Sequence, residues 1–322
     1  MNGISIIIPY YNDLRIKDCL KTLSTEFENL KRLSKKKIEI IIINDGSKKL
    51  KIRSKILPIR LINKKINEGV GKARNIGLKY SKKKYVLFLD SDVIIPKNFL
   101  NQILGIIKNK SKKIFYFPQS HIPADKNPSL FQKYLSISWH LNQTKDFQSK
   151  EMLTSFCLLV EKNYLIKIGA FSEKYKKAGG EEFELLSRIN KKFIKVCEKI
   201  NPFHFQDSFI IRIKKLFYRS KNFKNVIVEN KQIPTKTKFF YSFKLLSSLL
   251  LICSFIYFIF FKKYLFLIFI FLFIHIMNEH NFFSFLIKLK KVRLLFVSLI
   301  FKLIENIIIA IGLIISYISI NV

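Results

Sequence analysis

An α/β fold with a mostly parallel sheet and flanking helices, followed by an apolar α-helical region, is what this 322-residue sequence predicts. Three observations carry that reading. Short apolar runs alternate with helix-period segments through residues 1–92, the rhythm of strand–helix–strand units. The run Tyr85-Val86-Leu87-Phe88-Leu89 is apolar throughout, as a strand covered on both faces requires, and it ends abruptly in Asp90-Ser91-Asp92. From Lys244 onward, long uncharged stretches dominate.

Taken in order, Ile4–Ile8 is a buried strand stopped by Pro9, and Tyr10-Tyr11-Asn12-Asp13 is the loop after it. Ile16, Leu20, Leu23, Phe27 and Leu30 then recur at helical spacing. Glu39–Asn44 is a second strand with Asp45-Gly46-Ser47 as its turn, and Ile59–Asn63 is a third. Asn67-Glu68-Gly69-Val70-Gly71-Lys72-Ala73-Arg74 opens a helix that leads into the central strand. Beyond Asp92 the pattern predicts helices over 98–107 and 129–140 and strands over 113–117 and 152–160. A helix starting near Glu181 carries Phe183, Leu186, Ile189 and Phe193.

Composition narrows the classes. The net charge is +36, from 58 Lys+Arg against 22 Asp+Glu, yet only nine of the 58 are Arg. A nucleic-acid surface leans on Arg for bidentate contacts, so nucleic acid is not the expected partner, and a basic head beside an apolar tail suits an anionic membrane surface. Cys19, Cys157, Cys197 and Cys253 are far apart, which suggests neither a zinc site nor a disulfide framework and agrees with a reducing compartment. The beginning of the chain reads as a strand and not as a signal peptide, so the head is expected in the cytosol.

Ligands of open α/β sheets bind beyond the carboxyl ends of the strands. Asp90 and Asp92 stand there, and two nearby carboxylates repel unless something positive sits between them, such as a divalent cation that bridges phosphate oxygens. The competing reading is a capping role for Asp92. Gly69 and Gly71 would let backbone N–H groups approach a phosphate, with Lys72 and Arg74 adding charge; the alternative is a capped helix with two solvated bases. The spacing matches neither the Walker pattern nor the dinucleotide fingerprint.

Ile8-Pro9-Tyr10-Tyr11-Asn12, Asn44-Asp45-Gly46-Ser47, Asn67-Glu68-Gly69 with Ala73-Arg74-Asn75-Ile76-Gly77, and Asp90-Ser91-Asp92 occur in an order and spacing that resembles the family-2 glycosyltransferases of the GT-A fold, over about the first two hundred residues. The resemblance implies a nucleotide-sugar donor, a UDP-sugar in the first instance, and Mg²⁺ or Mn²⁺. By it, Pro9, Tyr11 and Asp45 would hold base and ribose, Asn67, Lys72 and Arg74 would join them in binding the donor, and Asp90 would reach the ribose or the metal. Asp92, the end of the Asp-x-Asp motif, would ligate the cation. His204 in Pro202-Phe203-His204-Phe205 resembles a later element in which a His approaches metal or diphosphate; a packed edge-strand His is the alternative. Gly179-Gly180-Glu181-Glu182 falls where the family carries Gly-Glu-Asp, whose Asp is the general base. Here Glu182 stands in that place beside Glu181, its reach longer by about one carbon–carbon bond, a displacement to which catalysis is sensitive. A purely structural reading, acids complementing the dipole of a helix start, competes.

These readings divide the chain into a catalytic region, 1–238, and a membrane-associated helical region, 239–322. Residues 1–92 form the donor half, and 93–238 form the acceptor half with a basic juxtamembrane helix. Leu245–Phe261, Tyr264–Met277 and Leu294–Ile320 are the apolar candidates, the last interrupted by Lys302 and Glu305, whose spacing lets them pair on one helix face. Lys288, Lys290, Lys291 and Arg293 favour a cytosolic position. The expectation is an inverting, metal-dependent enzyme on the inner (cytoplasmic) membrane, facing the cytosol, that glycosylates a hydroxyl of a lipid-linked glycan or surface polysaccharide. The alternatives are a polyprenyl-phosphate sugar synthase, which resembles Asp-Ala-Asp-Leu-Gln where this chain has Asp90-Ser91-Asp92-Val93-Ile94, and a non-catalytic nucleotide-binding membrane scaffold.

Overall fold

The computed structural model describes residues 3–48, 52, 54–108, 111–145, 154–175, 181–229 and 235–318. The chain divides into two compact units, residues 1–126 with 139–206, and residues 127–138 with 207–322. This division differs from the boundary at 238 drawn from hydropathy, because hydropathy records composition whereas the units record packing.

In the first unit, β1 (Ile4–Tyr10), α1 (Ile16–Glu28), the single turn α2 (Arg32–Lys35), β2 (Ile38–Asn44), β3 (Ile59–Asn63), α3 (Val70–Tyr80) and β4 (Tyr85–Leu89) follow the predicted alternation. After β4 come β5 (Val93–Ile94), α4 (Phe99–Ile106), β6 (Ile114–Tyr116), α5 (Leu130–Lys145), β7 (Cys157–Glu161), α6 (Lys162–Lys167), α7 (Glu181–Arg188), β8 (Ile194–Val196) and β9 (Phe203–His204). Residues 130–138 of α5 belong to the second unit. Seven strands form one sheet in the order β3-β2-β1-β4-β7-β6-β8, and β5 pairs with β9 in a small second sheet. β1, β2, β3 and β4 run parallel, while β7 enters antiparallel between β4 and β6. The sheet is therefore mixed, and mostly parallel over the half that the alternation predicts.

The apolar strands are buried on both faces: every residue of β1 and of β4 is buried, including Ser5, whose hydroxyl donates to Glu39 Oε1 at 2.6 Å. α3 packs closely, since a Cβ at Gly77 would stand 2.3 Å from Ile7 Cγ2. The helix expected to run on to Phe193 stops at Arg188, and Phe193 belongs to a separate 3₁₀ turn capped by Asn190. The four cysteines are free.

The second unit contains α8 (Phe209–Glu229), α9 (Thr235–Phe261), α10 (Leu265–Asn278), α11 (His280–Lys288) and α12 (Val292–Ile318). Among the described residues one helix, Val292–Ile315, is long and apolar enough to cross a membrane. α10 and α11 reach that length only together, bent by 71°. Lys302 and Glu305 do not pair with each other as helical spacing suggests. Lys302 Nζ lies 3.2 Å from Glu279 Oε2, and Glu305 Oε1 accepts from Arg212 Nε at 2.8 Å. Tertiary partners outcompete a neighbour one turn away because these side chains are buried, where an unpaired charge is expensive.

Candidate active site

The pairing of β1 with β4 ends at Ile7 and Phe88, whereas β1 runs on beside β2 as far as Tyr10. Tyr10 O accepts from Asp45 N on the β2 side, so the backbone of Pro9 faces the other way, towards the place where β4 has ceased to pair. Its missing N–H removes no ladder bond there. The opening lies at the switch point of the strand order, the usual ligand crevice of such sheets. Tyr11, 51% exposed, stands at its mouth.

Asp45 is buried. It accepts from the backbone N–H groups of Glu68 at 3.2 Å and Gly69 at 3.0 Å and pairs with Lys64. Asn67 Oδ1 accepts from the same Gly69 N–H. The turn after Asp45 depends on Gly46, whose φ is +81° and whose added Cβ would stand 2.3 Å from Asn67 N. Lys72 pairs with Glu68. Two residues along α3, Arg74 is 2% exposed, with Nη2 2.8 Å from Asp90 Oδ1 and Nη1 3.3 Å from Glu181 Oε1. The picture of two solvated bases thus fits Lys72 and fails for Arg74. The Arg74 guanidinium also lies 5.3 Å from the Phe171 ring, and its Nε has no hydrogen-bond partner among the described residues.

Glu182 Oε1 accepts from the backbone N–H of Ser155 at 2.6 Å and from the Ser155 hydroxyl. Burial and the neighbouring Glu181 push the Glu182 carboxyl above the ordinary range, against smaller opposing effects of Arg74 and Ser155. Gly179 and Gly180, which precede the pair in sequence, lie outside the described residues.

Asp92 and His204 come together through the small β5–β9 sheet, in which Val93 pairs with His204. His204 Nε2 is 3.4 Å from Asp92 Oδ1, and the backbone N–H of Phe205 donates to Asp92 O at 3.1 Å. Burial raises the Asp92 carboxyl above its usual range and Asp90 adds to the rise; His204 and Arg15 pull it back in part. A hard oxygen and an imidazole nitrogen at this separation fit a shared divalent cation. Among the described residues no group of three or more His, Cys, Asp or Glu side chains forms a complete cage. That donor set suits an ion that takes few protein ligands and completes its shell with substrate phosphates and water.

Arg15 escapes the sequence reading. Its guanidinium forms a fork on Asp13, at 2.8 and 2.7 Å, and places Nη2 3.2 Å from Asp92 Oδ2. The only signal for it is an Asp-x-Arg directly after the Pro9–Asn12 loop. Ser155 carries no signal at all, since only the pairing of β7 against β4 brings it near.

The mostly parallel mixed sheet with flanking helices, its strand order reversing between β1 and β4, is the GT-A fold. The chain belongs to glycosyl transferase family 2, whose sequence model matches residues 5–169. Among its relatives, an uncharacterized glycosyltransferase of Rickettsia bellii is 38% identical over 115 residues, 34% of this chain and 15% of that protein. The chondroitin synthase of Pasteurella multocida is 25% identical over 236 residues, 61% of this chain and 23% of that protein. The matches span less than half the length of these curated relatives. The crystal structure of S. aureus TarS 1–349 in complex with UDP-GlcNAc aligns with a TM-score of 0.50 at 17% identity, over 73% of this chain and 69% of that one. At that identity the likeness speaks for the fold alone.

Proposed function

We propose that this chain moves a sugar from a nucleotide-diphosphate donor, a UDP-sugar, to a hydroxyl of a lipid-linked glycan or surface polysaccharide, with inversion, at the cytosolic face of the cytoplasmic membrane. The observation that carries this reading is the Arg74 bridge. One buried guanidinium binds Asp90, at the donor edge, and Glu181, in the acid pair, so that both halves of a transfer site share one fixed charge.

In this reading Tyr11 offers its exposed ring to the base, while Pro9, Asp45 and Asn67 shape the crevice for base and ribose. Lys72 and Arg74 add charge, and Asp90 faces the ribose. Asp92 and His204 would hold Mg²⁺ or Mn²⁺, which when bound neutralises the departing diphosphate. Glu182 takes the acceptor hydroxyl proton, and the freed oxygen forms its bond to the anomeric carbon from the face opposite the leaving group. The old carbon–oxygen bond breaks, and its electron pair leaves with the nucleotide diphosphate. A single displacement of this kind needs no protein nucleophile. The longer arm of Glu182 is tethered by Ser155, which supports the substitution of Glu for the family Asp. Glu181, fixed by Arg74, keeps its neighbour's proton affinity high. Membrane attachment rests on α12, on the bent α10–α11 pair and on the basic cluster Lys288, Lys290, Lys291 and Arg293.

The test is sugar transfer or donor hydrolysis by the wild type and by Asp92→Ala in membranes, across a panel of nucleotide sugars. The expected loss is about 10²-fold or more, as for removal of a principal charge stabiliser. Undiminished turnover in the variant would reject the metal role of Asp92, and no transfer or hydrolysis by the wild type with any donor would reject the reading.

A further inference from the structure

The two oxygens of the Asp92 carboxylate have different partners. Oδ1 faces His204 Nε2 at 3.4 Å, and Oδ2 faces Arg15 Nη2 at 3.2 Å. The guanidinium is held from behind by the two-pronged contact with Asp13, and its Cζ stands 5.9 Å from the Phe205 ring. Arg15 therefore fills the role a cation would fill at Asp92, offsetting the repulsion among Asp13, Asp90 and Asp92. A guanidinium and a divalent ion on one carboxylate repel each other strongly at such short range. The side chain is also 35% exposed, on the loop that leads from Tyr11 into α1, so it can leave Asp92 without unpacking the core.

Its chemistry fits a second partner. The planar fork that grips Asp13 matches a phosphate oxygen pair equally well, with a stronger charge-assisted contact than a lysine makes. Resting on the assignment of Asp92 and His204 to the cation, we propose that Arg15 is a resident counter-ion which is handed from Asp92 to the donor diphosphate when cation and nucleotide arrive. Arg15 thereby weakens binding of the cation alone and couples it to the nucleotide. A bare Asp92 would take the metal more readily without donor, and the nucleotide would then add only what its own phosphate oxygens supply. The handover makes Arg15 a residue that touches the leaving group.

Mn²⁺ binding to the detergent-solubilised full chain, followed by loss of the free-ion electron paramagnetic resonance signal with and without UDP, tests this. For the wild type, UDP is expected to tighten Mn²⁺ binding by about tenfold or more, within the usual range of site–site coupling. In Arg15→Gln, Mn²⁺ alone should bind about threefold or more tighter, and the tightening by UDP should shrink by about threefold or more relative to wild type. Asp13→Asn, which frees the guanidinium for Asp92, should shift the affinity for Mn²⁺ alone in the opposite direction; it also serves should Arg15→Gln fail to fold. A ternary complex that forms normally, with affinity and coupling unaltered in both variants, would overturn the handover and leave the cation site standing. A wild type that binds no Mn²⁺ even with UDP would remove the cation site and the handover together.

Discussion

Arg74 donates to Asp90 across 2.8 Å while its own side chain is 2% exposed, so α3 is tied to the end of β4 by a charge that water does not reach. Removing one partner of such a pair leaves the others uncompensated. Arg74→Ala is expected to destabilise the first unit by about 3–5 kcal/mol, read from chemical denaturation, with UDP binding lost in parallel. A change under about 1 kcal/mol, the surface-pair range, would mean that Asp90 and Glu181 are neutralised some other way.

Glu182 gives a prediction in two parts. As a base it must be ionised, so the acid limb of the kcat/KM profile should lie above the ordinary carboxylate range, because burial and Glu181 raise its pKa. Glu182→Gln should lower turnover by about 10²–10⁴-fold. Stability moves the other way. A carboxyl whose folded-state pKa is raised binds its proton more tightly when folded, so its contribution is fully present below the unfolded pKa and is lost as pH rises through the folded one. At pH 8 Glu182→Gln should therefore melt no lower than wild type, with any gain vanishing in acid. A variant that melts well below wild type at pH 8 would identify Glu182 as a structural group.

Gly46→Ala tests the loop that carries Asp45. The position has φ +81° and no room for a Cβ beside Ile66 and Asn67. Strain of this kind costs about 1–3 kcal/mol, and displacement of Asp45 should weaken UDP binding. Unchanged UDP titrations would separate Asp45 from the donor.

In the helical unit, Lys302 Nζ is 3.2 Å from Glu279 Oε2 and 4.6 Å from the centre of the Phe282 ring. Lys302→Met alone should destabilise the unit, whereas Lys302→Met with Glu279→Gln should recover much of the loss, since no buried charge is left over. Thermal melts of the two single variants and the double variant in detergent would measure the coupling, and strict additivity would contradict it.

Much of this site could be read from the chain because its parts sit where apolar strands end. β1, β2 and β4 announce themselves by composition, and Pro9, Asp45, Asp90 and Asp92 follow from their last residues. What stayed hidden depends on pairing between distant segments. β5 and β9 have two residues each, too short for a periodic signal, yet they bring His204 to Asp92. In the sequence His204 stays between two readings, a ligand near the metal or a packed edge-strand residue, even with the family resemblance. Arg15 falls between the Tyr10–Asp13 loop and the helix-period residues from Ile16, where no pattern singles it out, and Ser155 reads as an ordinary polar residue inside the strand predicted over 152–160. Lys302 and Glu305 show the opposite failure, in which a local spacing rule suggests a pair and burial supplies better partners.

Anomalous scattering from crystals grown with Mn²⁺ and UDP would test the central claim most directly. The account predicts a manganese peak about 2 Å from an Asp92 carboxylate oxygen and from His204 Nε2, with diphosphate oxygens completing the shell. A peak elsewhere with UDP in the crevice, or UDP bound there with no peak at all, would contradict it.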